Sequence, residues 1–329
     1  MAMLQFLELL VSLALGLVLV WVFKFLALKL NIVDVPGGTL KKHHQITPYL
    51  GGLAIFCTFW CSLWLLKHEQ FDGYFMGLVT ITLVGLLDDL FVLTPGQKII
   101  GQAVATVILV QSGAVFSLGL PFNLDVLISF GWIITLINSY NLVDVMDGLA
   151  TTIALGPIVA LYLVAVFLQQ YSLMGISMVL LGSLLSFLVY NFPVASIYLG
   201  DTGSMLIGAI IAILLQQINW LILPGCYWYM GMLVPIILAA IPLLELGSLI
   251  VIRKLKKIPV YYGSRDHFCH YLQLRGWSIK RILAFVIFCN FLLATIAILI
   301  TAGAVSCMTI AVLGVLFLVF WLHAIFQKT

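Results

Sequence analysis

Long apolar runs separated by short polar stretches make up most of this chain. Read with a window of about 19 residues, these runs are too many and too long for one water-soluble core, and they predict membrane helices. Some are short for a span of about 30 Å of hydrocarbon, so their bounds are approximate. The eleven runs cover roughly residues 4–28, 48–66, 73–87, 98–112, 124–137, 149–168, 172–190, 204–222, 229–252, 282–301 and 305–325.

The composition agrees with a membrane protein. Of the 329 residues, 64% are hydrophobic and 8% are charged, whereas a soluble domain carries about 25% charged residues. The first run has no basic residues ahead of it, which favours a retained helix over a cleaved signal peptide. The six cysteines lie mostly in apolar runs, so we interpret them as packing residues. We expect an all-α polytopic integral membrane protein with about eleven transmembrane helices.

The basic residues predict an orientation, because cytoplasmic loops carry an excess of Lys and Arg. With the N-terminus outside and the C-terminus cytoplasmic, fourteen of the fifteen basic residues fall on the cytoplasmic side, and only Lys67 falls outside. The same orientation brings most acidic residues to the cytoplasmic face, while Glu245 lies deeper, in the inner half of the ninth run. Polar cytoplasmic loops are expected near residues 29–47, 88–97, 138–148, 191–203 and 253–281.

The stretch VGLLDDLFVL places Asp88 and Asp89 directly after an apolar run. Adjacent carboxylates repel each other, and their desolvation near a membrane is costly. They indicate either a solvated helix end or a site for a hard cation or a carboxylate base, since Mg²⁺ prefers oxygen ligands and often bridges to phosphate. Lys98, nine residues further on, could supply a phosphate partner.

The stretch NSYNLVDVMDGLA concentrates amides and carboxylates between two apolar runs. Asn141 and Asp144 are three residues apart, so they share one face of a helix. Asp147 can converge on the same space if Gly148 loosens the backbone. Such groups can read a heterocycle edge or a ribose through paired hydrogen bonds, which we favour over a purely structural role.

The stretch YLGDTGSM places Asp201 between two glycines, immediately before the eighth run. An N-cap is the ordinary explanation for this pattern. The glycines also allow the backbone to approach a ligand closely, and a helix start favours an anion such as diphosphate. Asn191, one loop upstream, adds an amide on the same side.

Two further cytoplasmic loops carry basic residues and histidines. The first, VDVPGGTLKKHHQITPYLGG, contains Lys42; it indicates contact with anionic headgroups or a loop pinned by its Pro and Gly turns. In the last loop, Arg265, His267 and His270 suit a diphosphate, because two imidazoles lie three residues apart beside an arginine. A zinc site of His267, Cys269 and His270 would lack an evident fourth ligand.

Taken together and in this order, these stretches resemble the polyprenyl-phosphate N-acetylhexosamine-1-phosphate transferase superfamily, which includes the WecA, TagO and MraY enzymes. Its pattern is P-x-x-GG, a DD pair, N-x-x-D-x-x-DG, GDTGS and a His-rich last cytoplasmic loop. Here these motifs are Pro48–Gly52, Asp88–Asp89, Asn141–Gly148, Gly200–Ser204 and His267–His270. The resemblance spans nearly the whole chain and implies one transmembrane catalytic domain over residues 1–329, with its active site on the cytoplasmic face.

The implied reaction transfers a sugar 1-phosphate from a UDP-N-acetylhexosamine to a polyprenyl phosphate at the plasma membrane, with release of UMP. The resemblance implies Mg²⁺ as the cofactor, with Mn²⁺ as an alternative, and a homodimer; no nucleic-acid partner is expected. It implies that Asp88 readies the acceptor phosphate and that Asp89 lies close to the metal. The other implied sites are Asp201 for the metal, Asn141, Asp144, Asp147 and Asn191 for the nucleotide, and Lys42, Arg265, His267 and His270 for the diphosphate or sugar.

The chain departs from the pattern at two positions. Val145 stands where the family has a glycine, and Cys269 replaces one histidine of the WecA-like H-x-H-H. Val145 makes the turn of that motif stiffer. Because the last loop is linked to sugar choice in the family, the Cys269 departure concerns the donor, for which UDP-GlcNAc is the default. An MraY-type enzyme that uses UDP-MurNAc-pentapeptide is an alternative within the superfamily: the LRGW stretch favours it, and the missing triple-His run opposes it. A membrane transporter is the alternative from another class, with Glu245 as its best argument.

Overall fold

The computed structural model describes residues 2–34, 46–223, 231–259, 261 and 264–326, and these residues are mostly helical. Two short 3-10 helices, Glu69–Tyr74 and Trp220–Ile222, and two short strands, β1 (Val33–Asp34) and β2 (Thr47–Pro48), complete the described elements. The α-helices of these ranges are α1 (Ala2–Lys29), α2 (Gly51–Leu65), α3 (Phe75–Phe91), α4 (Pro95–Gln111), α5 (Phe122–Val143), α6 (Leu149–Phe167), α7 (Tyr171–Asn191), α8 (Gly200–Gln216), α9 (Leu233–Leu238), α10 (Ala240–Leu255), α11 (Phe268–Leu274), α12 (Ile279–Thr301) and α13 (Cys307–Phe326).

The helices confirm an all-α, multi-pass membrane protein. Within the described ranges, six helical segments are long and apolar enough to cross a membrane by length and composition, and three shorter helices are also apolar. Each of the eleven predicted runs overlaps at least one described helix. The number of eleven spans and the outward N-terminus stay predictions, since length and composition alone support only six spans.

Helix α8 lies at the centre of the bundle. Its residues from Thr202 to Gln216 are all buried, and it packs against α2, α3 and α5. A helix that is hydrophobic on all sides is stable where other helices surround it. A Cβ atom at Gly85 of α3 would lie 2.5 Å from Cα of Thr202, so α3 and α8 approach each other at backbone distance. This close packing fixes the N-terminal end of α8.

The outer helices present apolar side chains to their surroundings. Met308, Val315, Leu316 and Val319 of α13 are exposed, as are many residues of α1. Large exposed apolar surfaces are rare on soluble monomers and mark contact with a membrane or a partner. In a membrane protein, these side chains face lipid tails.

The ninth run is interrupted between α9 and α10. Pro242 has no N–H with which to bond the carbonyl of Leu238, and α9 ends at that residue. Helix α10 then packs against α5. As a result, the last turns of α10 lie beside the C-terminal end of α5, where the NSYNLVDVMDG stretch begins.

Candidate active site

Four helices bring one polar residue each to the same end of the bundle. Asp88 lies in the last turn of α3, and Lys98 lies in the first turns of α4, directly after the connection between them. Asn141 lies in the last turn of α5, and Asp201 in the first turn of α8. Because α3 and α5 end where α4 and α8 begin, side chains far apart in sequence meet there.

Lys98 is at the centre of this cluster. Its Nζ lies 2.9 Å from Oδ2 of Asp88 and donates to Oδ1 of Asn141 at 3.0 Å, and it also forms an ion pair with Asp201. Asn141 in turn donates through Nδ2 to Oδ1 of Asp201 at 2.8 Å and to Oγ of Ser204 at 3.0 Å. A cation near a helix N-terminus opposes the helix dipole, so the two carboxylates stabilise Lys98 in this position.

Asp89 holds the start of α8. Its Oδ1 accepts from the backbone N–H of Asp201 at 2.8 Å, and its Oδ2 accepts from N–H and Oγ1 of Thr202 at 3.1 and 2.6 Å. Gly200 has a φ of 70°, which favours glycine, and a Cβ there would lie 2.5 Å from Oδ2 of Asp89. Asp89 therefore caps α8 from a neighbouring helix and positions Asp201.

A cavity of about 490 Å³ opens beside the cluster. Asp147 accepts through Oδ2 from the N–H of Ala195 at 3.0 Å. Asn191 accepts from the N–H of Gly148 at 2.7 Å and donates to the carbonyl of Ile197 at 2.9 Å. These bonds join the two loops that frame the cavity, at residues 147–148 and 191–197. We call it the acidic cavity; its lining includes Tyr49, Asp88, Asp89, Asp144, Asp147, Asn191, Tyr198 and Asp201.

Asp144 lines the acidic cavity from the loop that follows α5. Burial, and after it the negative charges of neighbouring carboxylates, raises the pKa of Asp144 well above its usual range. Desolvation and like charges both disfavour the ionised form. A ligand that donates hydrogen bonds to Asp144 would compensate for this penalty.

Two tyrosines form an aromatic wall of the acidic cavity. The ring centroids of Tyr49 and Tyr198 are 5.8 Å apart, with the rings tilted by 50°. Tyr49 follows β2, which pairs with β1 so that Asp34 lies opposite Thr47. Burial, and after it the charge of Asp34, raises the pKa of Tyr49, and burial also raises the pKa of Tyr198. Both phenols therefore stay neutral and present apolar faces.

A second cavity, of about 820 Å³, adjoins the first. The two cavities share Asp88, Val92 and Val145 in their linings. We call the second one the basic cavity, because Lys98, Arg253, Arg265, His267 and His270 all line it, together with Asn138 and Asn141.

Two contacts, made by Asp266 and His267, hold the last loop beside the basic cavity. Asp266 pairs with Lys256 and accepts from the hydroxyl of Tyr271 at 3.2 Å. Although burial opposes it, the Lys256 ammonium holds the pKa of Asp266 below its usual value. His267 is only 5% exposed, and its Nδ1 lies 3.0 Å from Oε1 of Glu245.

The structure brings nearly all of the predicted site residues together. Asp88, Asn141 and Asp201 share one hydrogen-bonded cluster, and Asp89, Asp144, Asp147 and Asn191 line the acidic cavity. Arg265, His267 and His270 line the basic cavity, whereas Lys42 lies outside the described residues. Their individual roles stay predictions.

The two departures from the family motif lie in different surroundings. Val145 lines both cavities, so its side chain borders the space that a ligand would fill. Cys269 is fully buried and lines neither cavity. Because His267 and His270 line the basic cavity and Cys269 does not, the geometry does not favour the zinc alternative.

Sequence reasoning missed or underrated several lining residues. Lys98 is the only basic residue between positions 68 and 252. A lone cation in so long an apolar region indicates a specific role, and this pattern pointed to Lys98 as a site residue. Tyr49 lies inside the Pro48–Gly52 motif and Tyr198 lies two residues before Gly200, but neither side chain carries a charge. Arg253 belongs to none of the motifs, yet it lines the basic cavity.

Comparison with known proteins finds one family model that matches part of the chain and relatives that cover most of it. Residues 72–219, which contain three of the motifs, match the family described as Glycosyl transferase family 4. A probable undecaprenyl-phosphate N-acetylglucosaminyl 1-phosphate transferase of Bacillus subtilis (strain 168) is 28% identical over 311 residues, which cover 90% of this chain and 84% of that protein. A phospho-N-acetylmuramoyl-pentapeptide-transferase of Bacillus thuringiensis (strain Al Hakam) is 29% identical over 289 residues, which cover 78% of this chain and 85% of that protein. The ordered motifs and these relatives make the chain similar to members of the polyprenyl-phosphate N-acetylhexosamine-1-phosphate transferase superfamily.

Proposed function

We propose that the protein transfers N-acetylhexosamine 1-phosphate from a UDP-sugar to a polyprenyl phosphate. The products are a polyprenyl-diphosphate-sugar and UMP, and the default donor is UDP-GlcNAc. The name of the Bacillus subtilis relative supports this reaction class and this sugar. The observation that carries the proposal is the Lys98–Asp88–Asn141–Asp201 cluster, which lies where the acidic and basic cavities meet.

The reaction requires two anionic substrates to meet. An oxygen of the polyprenyl phosphate attacks the phosphorus that bears the sugar, and the bond between that phosphorus and the oxygen leading to UMP breaks. Catalysis of such a transfer depends mostly on positioning and charge stabilisation. Asp88 borders both cavities, which suits a group that takes a proton from the acceptor phosphate. Lys98 beside it supplies a positive charge close to the reacting phosphates.

Asp89 and Asp201 fit the chemistry of Mg²⁺. Both carboxylates line the acidic cavity, and they lie close together, since Oδ1 of Asp89 accepts from the backbone N–H of Asp201 at 2.8 Å. Mg²⁺ is often bound through one or two carboxylates together with waters and substrate phosphates. Asp201 with Asp89 would hold the ion, or Mn²⁺ in its place, and when bound it would neutralise charge on the diphosphate. Asp89 would hold the ion while its carboxylate also caps the start of α8.

The acidic cavity suits the uridine part of the donor. Asn141, Asp144, Asp147 and Asn191 offer hydrogen-bonding groups for the base and the ribose, and the Tyr49–Tyr198 wall offers an aromatic face for stacking. The basic cavity suits the diphosphate and the sugar, since arginine and histidine side chains bind phosphate oxygens.

The position of the site at one end of the helices suits a lipid substrate. A polyprenyl phosphate keeps its phosphate at the bilayer surface, and a nucleotide arrives from water. The distribution of Lys and Arg supports a cytoplasmic site in a bacterial-type plasma membrane. Association into a homodimer and a role in starting cell-envelope glycan synthesis are parts of the same proposal.

The MraY-type reaction is the second candidate. Relatives named phospho-N-acetylmuramoyl-pentapeptide-transferase, at 29% identity, favour it. The His-Phe-Cys-His stretch of residues 267–270 opposes it, because it lacks the triple-His run. A transporter has less support, because Glu245, its main argument, is paired with His267 of the candidate site.

The test is UMP release by purified protein with Mg²⁺, polyprenyl phosphate and a panel of UDP-N-acetyl sugars that includes UDP-MurNAc-pentapeptide. Turnover with one donor that is lost without metal and in both Asp88→Asn and Asp201→Asn would support the proposal. Asp72→Asn is the matched control, because Asp72 is exposed near the opposite end of α3. No product with any donor would overturn the proposal, and turnover with UDP-MurNAc-pentapeptide alone would establish the second candidate.

A further inference from the structure

Glu245 is a buried acid in an apolar helix. It lies in the second turn of α10 and is 1% exposed. An ionisable residue in such a helix is costly unless a partner compensates for it, and it often marks a functional site. Glu245 does not line either cavity, so a role for it must act through a residue that does.

The carboxylate of Glu245 engages the start of the last cytoplasmic helix at two points. Oε1 lies 3.0 Å from Nδ1 of His267. The backbone N–H of Phe268 donates to Oε1 and Oε2 at 3.3 and 3.4 Å. The ring of Phe268 packs on Trp321 of α13, with the centroids 4.8 Å apart. One carboxylate therefore holds both the imidazole and the backbone at the start of α11.

This contact has a consequence for the ring of His267. A carboxylate at Nδ1 favours the form in which Nδ1 carries a proton, and it fixes the plane of the ring. The other nitrogen, Nε2, is then left to interact with a ligand. His267 lines the basic cavity beside Lys98 and Arg265, which is where the proposed function places the diphosphate or sugar.

We propose that Glu245 is a positioning residue for donor binding. It orients His267 so that Nε2 is directed to the phosphate or sugar of the UDP-sugar. It also holds α11, and with it His270, at the wall of the basic cavity. The inference rests on the proposed function and adds to it a residue that no motif contains.

The experiment compares Glu245→Gln and Glu245→Ala with wild type in the UMP-release assay. Losing the carboxylate is expected to raise KM for the UDP-sugar about tenfold or more, as removal of an orienting partner commonly does, with KM for polyprenyl phosphate unchanged. Glu245→Gln keeps the size of the side chain, so it remains informative if Glu245→Ala does not fold.

A double-variant cycle distinguishes positioning from a general loss of structure. If Glu245 acts through His267, Glu245→Gln combined with His267→Ala is expected to be no worse than His267→Ala alone, within about threefold. Effects that multiply would overturn the inference, as would an unchanged KM for the donor in Glu245→Gln.

Glu8→Gln is the matched control. Glu8 is 5% exposed and its Oε1 lies 3.1 Å from Nε2 of His68, so it is a similarly buried carboxylate–imidazole pair outside both cavities. It is expected to leave KM for the UDP-sugar unchanged. Failure of the wild type to release UMP with any donor would overturn the proposed function and the inference together, whereas an active wild type with an unaffected Glu245→Gln would overturn the inference alone.

Discussion

Nζ of Lys98 lies 2.9 Å from Oδ2 of Asp88, and both side chains are largely shielded from solvent, at 18% and 11% exposure. The other oxygen of Asp88, Oδ1, accepts from the N–H of Leu93 at 2.7 Å. Asp88 is therefore held at both oxygens at the end of α3. A carboxylate fixed in this way cannot rotate freely, and its orientation toward both cavities is set before any substrate binds.

Lys98→Met is expected to lower turnover by about 100-fold or more, which is the usual range for the loss of one preorganised charged group in an active site. The variant leaves Asp88 and Asp201 without their shared cation, and like charges close together repel. UMP release at saturating substrates is the measurement. Lys67→Met is the control, because Lys67 is exposed and lies just after α2. Turnover above about a tenth of wild type would contradict this role for Lys98.

Asn141→Asp is expected to disrupt the same cluster by replacing a donor with an acceptor. Nδ2 of Asn141 donates to Asp201 at 2.8 Å, and an aspartate in its place would add a third carboxylate to the cluster, beside Asp88 and Asp201. We expect a loss of about 100-fold in UMP release. Ser204→Ala removes only the other acceptor of Nδ2, at 3.0 Å, and should cost much less. Equal losses in the two variants would show that the charge at position 141 is unimportant.

The sequence predicted the helices and the polar end of the bundle, because long apolar runs and clustered charges are local signals. It also predicted Asp88, Asn141 and Asp201 as site residues, but it did not predict that Lys98 lies at the centre of their cluster. Lys98 reaches that position only because α3 and α4 form an adjacent pair that packs against α5 and α8. Contacts of this kind depend on tertiary packing, which a single sequence does not display.

The same limit applies to Asp89 and Glu245. Asp88 and Asp89 are neighbours in sequence, yet Asp89 accepts three hydrogen bonds from the start of α8 while Asp88 contacts Lys98. Successive residues on a helix point about 100° apart, and so the two neighbours meet different surroundings. The sequence showed Glu245 as an acidic residue inside an apolar run. Its partner His267 is 22 residues away in sequence, so the pair could not be predicted from local pattern.

Asp144→Asn is expected to stabilise the protein at neutral pH. The pKa of Asp144 is raised in the folded protein, first by burial and then by neighbouring carboxylates. Its contribution to stability is thus fully present below the unfolded pKa of about 4, and it is lost as the pH rises through the folded pKa. The asparagine side chain of the variant carries no charge at any pH. The variant should therefore melt at a higher temperature than wild type at neutral pH and at the same temperature near pH 4.

Thermal unfolding in detergent across this pH range measures the difference. Asp72→Asn, at an exposed position of the 3-10 helix before α3, should follow the wild-type curve throughout. A neutral-pH melting temperature of Asp144→Asn that is no higher than that of wild type would contradict the expected cost of ionising Asp144 in the folded protein. In either case, weaker binding of the UDP-sugar by Asp144→Asn would agree with its proposed contact to the nucleotide.

Gly85→Ala tests how far the site depends on the packing of α3 against α8. The added Cβ would lie 2.5 Å from Cα and 2.6 Å from N of Thr202, and these are backbone atoms that cannot rotate away. Overpacking of this kind costs about 1–3 kcal/mol, and the shift would displace Asp201 from Asn141. Gly131→Ala is the control, since Gly131 also lies inside a helix but has no atom within 4 Å of an added Cβ. It should keep full activity and gain about 0.5–1 kcal/mol from helix propensity. A lower melting temperature and reduced UMP release in Gly85→Ala alone would support the close α3–α8 contact, and equal behaviour of the two variants would refute it.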